Sequence, residues 1–201
     1  MDEMMITYLA TKNAGKLAEI QMMLAGSALE LRTYTAYQDP EEGHTSYVDN
    51  ALLKARALRA QLLAAGILDA AVLADDSGIE LDALGGGPGV DSAIYAGADT
   101  PWPQRLETMM NAVRAQDAQL RGARFVCVMA LIRPDASEIV VQGDVRGTIA
   151  TELSGERGFG YDPLFFYPPI GKTFAQIPEQ EKNQLSHRGR AARALIDAIA
   201  R

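Results

Sequence analysis

The chain has 201 residues, 48% of them hydrophobic and 22% charged, with a formal net charge of −7. That size and balance describe one globular domain over residues 1–201, with room for two lobes, and no apolar run approaches the ~20 residues of a membrane span. The acidic balance speaks against a nonspecific nucleic-acid binder, which needs a basic face, but leaves room for a small anionic ligand held by local lysines. One cysteine, Cys127 in the apolar run RFVCVMALI, permits no disulfide within the chain and reads as a buried thiol. The segment MDEMMITYLAT carries acids where a secretory signal needs bases, so the expected compartment is the cytoplasm.

In chain order, Met5 to Ala10 reads as a short strand, followed by the turn TKNAG and a helix from Lys16 to Leu24 with Leu17, Ile20 and Leu24 on one face. Leu29 to Tyr34 fits a second strand, and the polar QDPEEGHTS (38–46) a loop. Tyr47 to Ala65 has the spacing of a long helix, with Val48, Leu52, Ala55, Leu58 and Leu62 toward the core and Gly66 closing it. Ala70 to Ala74 reads as a buried strand that delivers Asp75 and Asp76 to its C-terminal end, before the loop GGGPG. Thr100 is placed to cap a helix beginning at Pro101, with Leu106, Met109, Met110 and Val113 as its apolar stripe. Arg124 to Ile132 and Glu138 to Val145 read as strands joined by a Pro-Asp turn, Gly155 to Asp162 as a glycine-rich loop, and Ser186 to Ala200 as a terminal helix. The alternation of strands and helices, then paired strands, predicts an α/β fold with a mixed sheet.

Four constellations have the residue types that chemistry needs. Thr11-Lys12-Asn13-Ala14-Gly15-Lys16 joins a strand to a helix, where backbone N–H groups and two lysines suit an anion; it reads equally well as a turn with solvated lysines. Glu41 and Glu42 precede the long helix that carries Lys54, a candidate for a phosphate if another acidic site lies nearby. Asp75 and Asp76 are like charges at adjacent positions, which a fold tolerates where something cationic binds, and one or two carboxylates plus substrate phosphates suffice for Mg²⁺. Ser77 follows within reach of phosphate oxygens. Gly158 to Pro163 (GFGYDP) offers Phe159 or Tyr161 as a face for a base, with Asp162 as an acceptor and Lys182, His187 and Arg188 as donors. No His/Cys ligand spacing for zinc and no GxSxG elbow is present.

Together, T-K-N-A-G-K (11–16), the 41–55 stretch EEGHTSYVDNALLKA, the 74–93 stretch ADDSGIELDALGGGPGVDSA, GFGYDPLF (158–165) and EKNQLSHR (181–188) resemble the inosine triphosphate pyrophosphatase family, hydrolases of deaminated purine nucleoside triphosphates. The resemblance implies an α/β fold with an elongated mixed sheet flanked by helices, two lobes with the active site in the cleft between them, and a homodimer. It also implies Mg²⁺-dependent release of pyrophosphate from ITP, dITP or XTP. Carried over by position, Thr11, Lys12, Asn13, Ala14, Gly15 and Lys16 hold the triphosphate, Glu42 binds the metal, and Asp76 is a metal ligand and the general base. Ser77 touches the phosphates, while Phe159, Gly160, Tyr161, Asp162, Lys182, His187 and Arg188 form the base and sugar pocket. The family commonly shows Ser-Ala-Arg-Tyr where this chain has Ser92-Ala93-Ile94-Tyr95, so a cation is missing there. Two other readings share these motifs: a pyrophosphatase for other modified nucleoside triphosphates, and a nucleotide-binding regulator that turns nothing over.

Overall fold

The computed structural model describes residues 4–43, 45–117 and 119–200; His44 of the second motif and the N-terminal Asp2 and Glu3 lie outside them. Seven strands form one sheet in the order β2-β1-β3-β4-β5-β6-β7. They are β1 (Met5–Leu9), β2 (Leu29–Thr33), β3 (Ala71–Leu81), β4 (Gly122–Ile132), β5 (Glu138–Ile149), β6 (Phe165–Tyr167) and β7 (Lys172–Thr173). β1 runs parallel to both β2 and β3, and β6 runs antiparallel to β5 and β7, so the sheet is mixed. Among the described residues five α-helices accompany it: α1 (Ala14–Met23), α2 (Tyr47–Ala64), α3 (Trp102–Arg114), α4 (Glu179–Leu185) and α5 (His187–Ile199). Among the described residues no helix is long and apolar enough to cross a membrane.

The chain divides into two compact units, each assembled from separate segments. The first comprises Met1–Asp76, Cys127–Gly143 and Arg188–Arg201; the second comprises Ser77–Val126 and Asp144–His187.

In the first unit, β3 and β4 have apolar side chains on both faces, as a strand covered by helices must. Ala71 and Leu73 join Cys127, Met129 and Leu131 in a core with Ile20 of α1, Leu24 at its C-terminal cap, and Ala191, Ala192 and Leu195 of α5. The intervening Val72 and Ala74 join Val128, Ala130 and Ile132 in a second core against Ala51, Ala55, Leu58 and Leu62 of α2. The period of two along each strand therefore sorts consecutive residues onto opposite helical layers. The helix starts are chemically specified. Asn13 Oδ1 accepts from Lys16 N–H at 3.0 Å to begin α1, and Ser46 Oγ accepts from Asp49 N–H at 3.0 Å to begin α2. Gly66, with φ +79°, follows the end of α2 in the left-handed conformation that L-residues avoid.

In the second unit, the stripe of α3 (Leu106, Met109, Met110, Val113) packs with Ile79, Leu81, Phe125, Val145, Phe165 and Phe174. Phe125, Phe165 and Phe174 pack ring to ring at centroid distances of 4.7 to 6.1 Å.

Three expectations from the sequence need correction. β3 does not end at Asp76 but continues to Leu81, because Ile79 and Leu81 bury fully in the second unit; the two aspartates are therefore inside the strand. Val48 is exposed on α2, where Asn50, Ala51 and Lys54 are buried instead, so the inward face is rotated from the one apolar spacing implied. Thr100 does not cap α3: its hydroxyl donates to Ala96 O at 2.5 Å, and Pro101 is the cap residue. The terminal helix forms as expected, as α5 from His187 to Ile199, and the short α4 before it, which ends in extended backbone at Ser186, is an element the sequence reading did not include. The short strands β6 and β7 carry no alternation long enough to read from sequence.

Candidate active site

Asp75 and Asp76 are adjacent, yet they leave β3 on opposite faces, and each meets its own cations. On the side of α1 and α5, Asp75 Oδ2 lies 3.1 Å from Lys16 Nζ and 3.4 Å from an Arg188 guanidinium nitrogen. Arg188 in turn donates to Glu19 Oε2 at 2.6 Å. Asp75, Arg188 and Glu19 are all at most 3% exposed, so this is a buried chain of alternating charge. Burial pushes the Asp75 carboxyl toward neutrality, but Lys16, Arg188 and Lys54 outweigh it and hold the group well below the usual carboxylate range. For Arg188, burial opposes the charge and the carboxylates of Asp75 and Glu19 restore it. The Cys127 thiol stands 4.0 Å from Asp75 Oδ2, and burial pushes it up to about 12, so it stays protonated and unreactive.

On the side of α2, Asp76 Oδ1 lies 2.9 Å from Lys54 Nζ, and Asp76 Oδ2 accepts from Asn50 Nδ2 at 3.1 Å. Asn50 and Lys54 are one helical turn apart, which is why both reach the same strand residue. Glu42, from the loop before α2, lies 2.9 Å from the same Lys54 nitrogen. Burial lowers the Lys54 pKa, but Asp76, Asp75 and Glu42 more than reverse this, and the ammonium titrates above its ordinary value. The Glu42 side chain is 42% exposed, so this assembly, unlike that around Asp75, opens to solvent. Two carboxylates converging on one cationic position are hard oxygen donors of the kind Mg²⁺ takes. Among the described residues no cluster of three or more metal-ligating side chains occurs, so further oxygens would come from water and substrate.

The structure brings Lys16, Lys54, Glu42 and Asp76, together with Asp75, into these two assemblies of the first unit. Thr11 Oγ1 accepts from Asn13 N–H at 3.2 Å, which shapes the turn into α1 where Ala14 and Gly15 lie in the first helical turn. Lys12 stays at the surface, 3.6 Å from Asp39. Arg188 is joined to Glu19 and Asp75 rather than presented in isolation. Glu41 is exposed, and Glu42 is the glutamate that reaches Lys54.

The remaining predicted residues belong to the second unit. Ser77, half-buried, follows Asp76 in β3. The Gly85–Gly89 bend folds back on β3, with Leu81 and Gly87 bonded at 2.9 Å. In the loop at 158–162, Asp162 pairs with the Lys182 ammonium, both buried, and accepts from Phe159 N–H at 2.9 Å. Gly158 has φ +72°, and a Cβ there would collide with the Asp162 carboxylate. Of the two loop aromatics, Tyr161 is buried and Phe159 half-buried, with Lys182 Nζ 5.2 Å from the Phe159 ring centre. The His187 ring stacks on Phe125 at 4.6 Å and 10°.

Sequence reading missed Asn50, Glu19, Trp102 and Arg105. Asn50 and Glu19 lie off the apolar stripes read from the sequence, and their partners lie far along the chain.

The fold and these residues define an α/β protein with a charged site built on a central strand. Residues 7–198 match the Ham1 family, and the chain belongs to that family. A dITP/XTP pyrophosphatase of Pectobacterium atrosepticum is 42% identical over 195 residues, covering 95% of this chain and 96% of its own. The dITP/XTP pyrophosphatase of Yersinia pseudotuberculosis is 40% identical with the same coverage. Among solved structures, a HAM1 protein from Coxiella burnetii superposes with a TM-score of 0.84 at 36% identity, covering 98% of this chain and 99% of that one. The Ham1 protein of Staphylococcus aureus gives 0.81 at 33%, covering 97% and 98%.

Proposed function

We propose that this chain hydrolyses deaminated purine nucleoside triphosphates, dITP, XTP and ITP, to the monophosphate and pyrophosphate, with Mg²⁺. The Pectobacterium and Yersinia relatives are named dITP/XTP pyrophosphatases, and one observation in this chain carries the reading: Glu42 and Asp76 each lie 2.9 Å from the same Lys54 nitrogen. Such a position, ringed by hard oxygens and backed by an amine, suits a dication and a polyphosphate together.

Glu42 and Asp76 would hold Mg²⁺, which when bound would supply positive charge against the phosphates and acidify the attacking water. Asp76 accepts the proton of the water that attacks the α-phosphorus, and the Asn50 amide keeps its Oδ2 oriented. Lys12, Lys16 and Lys54 offset the charge of the departing pyrophosphate, with the turn 11–16 and Ser77 fixing the triphosphate. Phosphoryl transfer needs little covalent help, so positioning and charge account for most of the barrier reduction. The loop at 158–162 receives the base, with Phe159 as its face and Asp162, Lys182 and His187 setting the polar contacts. Deamination turns the 6-amino donor of adenine into a 6-oxo acceptor, and donors placed for that oxygen are left unpaired against adenine. We also place the chain in the cytoplasm, from its acidic N-terminal segment and single buried cysteine, and, by the resemblance alone, as a homodimer.

The test is pyrophosphate release across a nucleotide panel with and without Mg²⁺. dITP should exceed dATP in kcat/KM by ~10⁴-fold, and chelation should abolish turnover. Release from modified pyrimidine triphosphates instead would favour the broader pyrophosphatase, and tight ITP binding without release would favour a regulator.

A further inference from the structure

The loop at 158–162 has glycines at both ends of Phe159, with φ +72° at Gly158 and +64° at Gly160. Such a segment has much conformational freedom to lose and needs side-chain anchors to hold one geometry. One anchor is the buried Asp162–Lys182 pair. The other is Tyr161, whose hydroxyl donates to Ser92 O at 2.8 Å and whose ring meets Trp102 edge-on, at 5.2 Å and 84°. The Trp102 indole also lies against the backbone of Gly160, where a Cβ would come 3.5 to 3.9 Å from three of its atoms.

Trp102 is itself held. The Arg105 guanidinium lies 4.8 Å from the indole centre and donates to four carbonyls of the preceding segment: Ala93, Gly97 at 2.8 Å, and Ala98 and Thr100 at 3.1 Å. Arg105 is 3% exposed, so its charge is satisfied by these oxygens and the aromatic face. A guanidinium thus reaches the segment following Ser92-Ala93-Ile94-Tyr95 from α3, while Ile94 itself is exposed.

We propose that Trp102, braced by Arg105, is a positioning residue for the nucleobase, holding Tyr161 and Gly160 so that the loop presents Phe159 in one orientation. The inference rests on the proposed base-binding role of that loop. None of these residues belongs to the acid–lysine assemblies, so Trp102 acts on binding of the base and not on the chemical step.

The experiment compares wild type, Trp102→Ala and Trp102→Phe in the full chain. With ITP, Trp102→Ala should raise KM about three- to tenfold, the worth of one aromatic pair, and leave kcat within about twofold. Trp102→Phe, which keeps an edge-on ring, should recover most of that loss. Binding of inosine monophosphate should weaken by the same factor, while that of inorganic pyrophosphate stays unchanged. Unchanged KM and monophosphate affinity in Trp102→Ala would overturn the proposal, as would a parallel loss of pyrophosphate affinity and kcat. If Trp102→Ala does not fold, Trp102→Leu takes its place under the same criteria. If wild type releases pyrophosphate from no nucleotide, the proposed reaction fails. The monophosphate titrations then still decide the loop's role, with equal affinity in all variants overturning it.

Discussion

Asp75 and Asp76 share a strand, a charge and a sequence neighbourhood, yet their surroundings differ in kind. Asp75 is locked among Lys16, Arg188 and, through Arg188, Glu19, with Cys127 closing the side; all but the half-buried Lys16 are buried. Asp76 shares Lys54 with Glu42, a residue that opens to solvent. The pleat of β3 makes the difference, since one residue faces α1 and α5 and the next faces α2. A buried carboxylate surrounded by fixed cations is held for architecture. The same group beside a solvent-facing carboxylate and one lysine remains available to exchange partners. A pair of acids in a sequence therefore need not be two halves of one metal site.

Substitutions can break this contrast. The largest effect is expected at Asp76: Asp76→Asn should reduce pyrophosphate release from dITP by ~10³-fold or more. Its thermal midpoint should stay near wild type, because Asn keeps the shape and Glu42 still faces Lys54. Turnover close to wild type would remove Asp76 from the chemistry. Next comes Arg188→Ala, which leaves Glu19 and Asp75 buried without their shared cation and should lower stability by ~3–5 kcal/mol in urea unfolding. An unchanged urea midpoint would mean that the Asp75 side is not the closed assembly its distances describe. The smallest effect serves as the calibration. Arg56 makes a two-pronged contact with Glu138 at 2.9 Å, but more than half of its side chain is exposed, and Arg56→Ala should cost ~1 kcal/mol or less. The gap between these last two values measures what burial adds to an ion pair.

Much of the fold was legible. The apolar spacing of Leu17, Ile20 and Leu24 and the stop at Gly66 are local signals, and the corresponding helices form within a few residues of where those signals lie. Helix α4 and the continuation of β3 to Leu81 were not legible, because each depends on what the neighbouring segment packs against rather than on propensity. The candidate site was legible as residue types. Lys16, Glu42, Lys54, Asp76, Asp162 and Lys182 were all marked by charge beside turns or apolar runs, but who pairs with whom was not. Glu19 and Arg188 are 169 positions apart, and no short-range pattern joins them.

The amino-acid order by itself determined most of the helices, the longer strands in outline and the inventory of charged groups, since these follow from contacts within one or two turns of chain. Only the tertiary structure decided that adjacent aspartates part to opposite faces, that Glu42 and not Glu41 meets Lys54, and that Trp102 lies on the loop around Gly160. Those outcomes depend on the pleat of a strand between two helical layers and on the meeting of distant segments, and neither is encoded at any single position.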